Sequence, residues 1–124
     1  MLAMVMAAAL AVSGQPQALA GDWVVDLTPP GAKPYLKGMS LTLAADGTVT
    51  GSFYDSEIQA GRWKTSLGRT CVSFRTTDGV GPYHTSACLE GERLTGQTWA
   101  EQRNFVFIWN SRRAAPDDLK QPWW

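Results

Sequence analysis

From Gly21 onward, apolar residues recur mainly at every second position, and clusters of Gly, Pro, Asp and Ser interrupt them at short, regular intervals. A side-chain period of two belongs to a strand with one buried face, so the pattern predicts an antiparallel meander. The predicted strands are 22–27, 39–45, 48–54, 60–65, 70–76, 83–89, 94–99 and 104–110. Between the first two, Thr28–Gly38 carries Pro29, Pro30, Gly31 and Pro34 and reads as a loop.

Parity argues three hairpin registers. A bulged loop with Gly47 in the left-handed conformation pairs Leu43 with Val49, Leu41 with Gly51 and Met39 with Phe53, which makes one face wholly apolar. A two-residue Asp46-Gly47 loop would instead oppose Leu43 to Thr50 and Leu41 to Ser52. Pairing about Asp78–Gly81 sets Cys71 opposite Cys88, Ser73 opposite Ser86 and Arg75 opposite His84. The alternate positions Val72, Phe74, Tyr83, Thr85, Ala87 and Leu89 then face inward. A Gly91-Glu92 turn opposes Leu89 to Leu94, whereas a slip of one residue would bring Trp99 inward; both registers stay open here.

A meander has two free edges unless its first strand meets its last. The last strand, Asn104–Asn110, is apolar on both faces, as expected of a strand covered on both sides. The expected fold class is therefore all-β, an eight-stranded antiparallel up-and-down barrel, with an open sandwich as the alternative.

Residues 1–20 contain no Asp, Glu, Lys or Arg, and an apolar block ends in Ala18-Leu19-Ala20, an A-x-A site. The layout is that of a secretory signal peptide cut before Gly21, although its start lacks the usual Lys or Arg; the alternative is a buried N-terminal helix. The apolar block is too short to span a bilayer as a helix. The expected domains are a leader over 1–20, a barrel over 21–113 and a tail over 114–124, in a secreted or periplasmic protein. In that compartment Cys71 and Cys88 are expected to form a disulfide, linking adjacent strands. Charges balance at 11 Lys+Arg against 11 Asp+Glu, which leaves no basic footprint for a nucleic-acid partner.

Gly21-Asp22-Trp23 at the first strand, with Arg112 and Arg113 after the last, resembles the calycin pattern of lipocalins, avidins and a family of bacterial metalloprotease inhibitors. That resemblance implies a barrel with a Trp at one end and a late Arg stacked on it. The stretch Gly38–Phe53 is similar to the second hairpin of avidin-like proteins, and Gly61-Arg62-Trp63 falls where their fourth strand starts. The biotin ligands are not carried over: Val25, Thr28-Pro29-Pro30 and Phe53 stand where that family has its Asn, Ser and Tyr. The inhibitor branch implies an N-terminal arm before G-x-W, which a cut before Gly21 would remove.

Candidate chemistry is sparse. One His excludes a two-His metal site, and no cofactor is expected. His84 and Ser86 share a strand face but lie roughly 6–7 Å apart at i, i+2, too far for a nucleophile and its base, and no carboxylate is expected beside the His. Asp55 with Glu57, Glu90 with Glu92, and Asp117 with Asp118 fall in turns or the tail, so no enzyme is expected. The interior aromatic set is the informative one: Trp23, Phe53, Trp63, Phe74, Tyr83, Phe105, Phe107 and Trp109 have positions compatible with the interior, and all of these but Phe105, with Thr85, are the candidate ligand-binding residues. These side chains either fill the barrel or line an apolar pocket, and Gly51, Ala87 and Gly96 at inward positions leave room for the second. The tail reads as a short helical turn at Pro116 and then a mobile end, or one folded back by Trp123 and Trp124. The expected function is an exported, non-catalytic barrel that binds a small apolar ligand or a protein surface, with Thr28–Gly38 as a lid. The alternative is a protease-inhibitor-like interaction module acting through its loops; oligomeric state is left open.

Overall fold

A computed structural model describes residues 17–124. The leader expected over 1–20 falls, as far as residue 16, outside them. The strands are β1 (Gly21–Asp26), β2 (Leu36–Leu43), β3 (Thr48–Phe53), β4 (Ser56–Glu57), β5 (Gln59–Ser66), β6 (Arg69–Thr77), β7 (Pro82–Glu90), β8 (Arg93–Ala100) and β9 (Phe105–Arg113). Every pairing is antiparallel. The short β4 and β5 share one wall position beside β3, so the wall has eight strands. β1 lies between β2 and β9, and β2 also pairs with β3, which closes the sheet into a barrel.

The three registers argued from parity are those formed. Leu43 faces Val49, Leu41 faces Gly51 and Met39 faces Phe53. Gly47 has φ 94°, the left-handed value the bulged loop demands. Cys71 faces Cys88, Leu89 faces Leu94, and Trp99 lies opposite His84 on the outer wall, so the slipped register is not adopted.

Three expectations need correction. β2 begins at Leu36, inside the predicted loop, because Asp26 pairs with Leu36 and the chain turns back sooner than the prolines suggest. β9 runs on to Arg113 and is covered on one face only: Val106 is 44% and Ile108 74% exposed. The tail is docked rather than mobile. It forms a 3₁₀ turn over Asp118–Lys120, where the Asp118 carboxylate accepts from Arg112 at 2.7 and 3.0 Å and from the Ala115 N–H at 2.7 Å. The Trp124 ring then lies on Gly38, where a Cβ would come within 2.6 Å of it. Val24, which pairs with both Gly38 and Arg112 on that outer face, is thereby only 2% exposed.

The opposite, inner face of the wall holds the core: Trp23, Val25, Met39, Leu41, Val49, Phe53, Val72, Phe74, Ala87, Leu94 and Trp109 are all buried. One end is plugged. Gln17–Leu19 make a helical turn, Leu19 is fully buried, and the Trp23 Nε1–H donates to the Leu19 carbonyl at 3.0 Å. The Arg113 guanidinium lies 4.0 Å above the Trp23 ring and donates to the carbonyls of Ala18 and Ala20. The Gly-x-Trp and late Arg of the sequence thus meet as the calycin-like architecture implies.

Candidate functional site

The candidate residues divide between the centre and the two ends. Phe53, Phe74 and Trp109 meet at the centre, with Phe53 6.0 Å from each of the other two ring centroids. Trp23 is buried in the plug, and Trp63 is half-buried at the same end, its Nε1–H donating to the Ala44 carbonyl at 2.9 Å. Tyr83 and Phe107 border the other end, the mouth, together with Leu27, Tyr54, Thr76 and Arg103.

The centre is full. A Cβ at Gly96 would come within 2.8 Å of the Trp109 ring, so the indole occupies the space that the glycine frees. At Gly51, with φ 135°, a Cβ would overlap the Ser40 carbonyl at 1.9 Å; that opening is taken by neighbouring backbone. The expected room at Gly51 and Gly96 is therefore absent, and the reason is local: each glycine answers a close approach. The crevice left at the mouth has about 20 Å³, enough for roughly one water molecule. Pockets for drug-sized ligands have about 300–1,000 Å³.

The inward polar atoms are already paired. Thr85 and Thr98 share a hydroxyl hydrogen bond of 2.9 Å, and the Trp109 Nε1–H donates to Thr98 Oγ1 at 3.0 Å. The Tyr83 hydroxyl donates to Asp78 at 2.8 Å. Burial and that bond raise the Tyr83 phenol, while the Val80 N–H, the Tyr83 hydroxyl and the Gly81 N–H lower the Asp78 carboxyl. No buried side-chain nitrogen or oxygen among the described residues lacks a partner.

Sequence reasoning missed the rim of the mouth. Tyr54 and Asp55 form the β3–β4 turn at φ 54° and 63°, the signature of a type I′ hairpin, where Tyr is unusual. Tyr54 meets Tyr35 edge-on at 5.8 Å, and Lys37 lies 4.7 Å over the Tyr54 ring and 3.3 Å from Asp55. Tyr35 is held there by its own N–H, which donates to Thr28 Oγ1 at 2.9 Å. The predicted strand 48–54 takes Tyr54 as its last residue, whereas Tyr54 is the first residue of the turn that Asp55 completes, and this hid the cluster.

His84 needs a correction too. A carboxylate does stand beside it, since Glu101 lies 3.0 Å from His84 Nε2 on the exposed outer wall. Parity hid the contact because Glu101 sits just past the end of β8. Ser86 takes no part in that contact; its hydroxyl has no bond to His84.

The outer wall of β7–β9 carries the larger open surface. Trp99 faces Val106 and Gln97 faces Ile108 across β8 and β9, so an apolar row runs along the outside. Ile108 stands as a ridge between two shallow grooves of about 610 and 320 Å³. Cys88, disulfide-bonded to Cys71, borders the larger one. The bridge joins opposed residues of β6 and β7 and points to an oxidising, extracytoplasmic compartment.

Barrel, plug and packed centre define a small closed antiparallel β-barrel with an internal aromatic cluster, a form consistent with a calycin-like fold. Comparison with family models, with curated proteins and with solved structures gives no match.

Proposed function

We propose that this chain is an exported, non-catalytic binding domain that recognises a protein surface with the outer wall of its last three strands. The observation that carries this reading is the contrast between a mouth crevice with room for about one water and an outer wall where Ile108 is 74% exposed. Large apolar side chains left in water beside a groove are typical of contact surfaces. Val106 and half-buried Trp99 extend the row, and polar Gln97, Thr95 and Ser86 border it, the arrangement of an apolar centre with a polar rim. A secreted protease is one partner class of this kind.

The reading is tested by native mass spectrometry of the protein recovered from its own compartment. The expected result is a complex with a protein partner, lost when Val106 and Ile108 are both replaced by Lys, while the barrel itself carries no small-molecule adduct. A barrel that retains an apolar molecule and no partner overturns it.

A further inference from the structure

The sequence places a cleavage site after Ala20, yet the three residues before it, Ala18, Leu19 and Ala20, are tied to the barrel. Leu19 is fully buried in the core cluster with Trp23. The Trp23 indole N–H has the Leu19 carbonyl as its partner at 3.0 Å, and both ends of the Arg113 guanidinium are engaged by the carbonyls of Ala20 and Ala18. Removing residues up to Ala20 would open the plugged end, strand the buried Trp23 N–H and leave Arg113 without those two acceptors. Losing the acceptor of a buried donor costs its desolvation, and emptying the Leu19 site leaves an apolar void.

A leader whose last residues are a folding element of the body it leaves is a contradiction. We propose that Gln17–Ala20 is a permanent plug of the mature barrel and that the leader is cut upstream of it, which rests on the export part of the reading above. The same small-x-small rule is met earlier, by Ala9-Leu10-Ala11 and by Ala11-Val12-Ser13. A cut after Ala11 or Ser13 would leave the plug whole. Ala20, half-buried, then owes its small side chain to packing, whereas Ala18 is exposed and offers Arg113 only its backbone carbonyl, so a larger side chain can stand there.

The test uses the full chain, produced in a bacterium that exports it, with intact mass and thermal melting of the product. The parent is compared with Leu19→Ala and with Ala18→Leu, which puts a large side chain where a cut after Ala20 needs a small one. The expected product retains residue 19, so Leu19→Ala changes its mass and lowers Tm by on the order of 10 °C. Ala18→Leu is processed and melts as the parent does. A product that begins at Gly21, identical in mass and Tm for the parent and Leu19→Ala, overturns the proposal. If Leu19→Ala does not accumulate, Leu19→Met carries the same mass test with a volume the site accepts. A chain left uncut in the cytoplasm would defeat the export reading alone. The plug is then decided by Tm, supported if Leu19→Ala or Leu19→Met lowers it and overturned if neither does.

Discussion

Gly38 sits where two pieces of chain touch, its missing side chain replaced by the Trp124 ring. Gly38→Ala should therefore cost about 1–2 kcal/mol through overpacking and shift Trp emission to the red as the tail lifts off Val24. In the Trp124→Ala background the same change should cost close to nothing, and a double-mutant cycle by denaturant melting checks the coupling. The other hold on the tail is titratable. The Arg112 guanidinium, with the Ala115 N–H, brings the Asp118 carboxyl down to about 2. A carboxyl lowered by folding stabilises the fold above its ordinary pKa, near 4, and loses that contribution as pH falls through about 2. The tail should thus stay docked at pH 5 and release between about pH 4 and 2. Asp46 and Asp78 are lowered as well and add to the loss on acidification, so the tail's part is read from Asp118→Asn, in which the docking signal is weakened at neutral pH and its acid step flattened.

Strands were legible because each inner face is made of alternate residues, and a slip in register would have buried Thr50 or Ser52 in place of Leu41 and Leu43 partners. What alternation does not encode is what covers the outer face. Val24 and Ile108 are both outward apolar residues in neighbouring strands, yet one is 2% and the other 74% exposed, because the tail reaches only the first. No local pattern distinguishes them. Ile108→Lys should accordingly leave stability within about 0.5 kcal/mol of the parent, whereas Val24→Lys should unseat the tail. The disulfide is also an element-scale feature, since it fixes β6 to β7 at one rung. Replacing both cysteines by Ser should cost about 3 kcal/mol in the chain-entropy model, which chemical denaturation in oxidising buffer would measure.

The whole molecule is a barrel whose contents are its own side chains, and this too was beyond the reach of sequence. Inward Gly51, Ala87 and Gly96 read equally well as a vacancy or as sockets for large neighbours, and only the three-dimensional path of the Trp109 indole across Gly96 decides it. A direct consequence is that a vacancy can be made. Trp109→Ala removes the ring that touches Phe53 and lies over Gly96, while Thr98 keeps its bond to Thr85, so no buried hydroxyl is orphaned. The result should be a dry apolar cavity at a cost of about 3–5 kcal/mol. Titrated with a small aromatic probe such as indole, the variant should recover part of its lost Tm with saturable, roughly one-to-one binding, because a ligand that binds only the folded state stabilises it. The parent should show no such binding. Saturable uptake of the probe by the parent would mean that the centre opens in solution and that the interior is a ligand site after all.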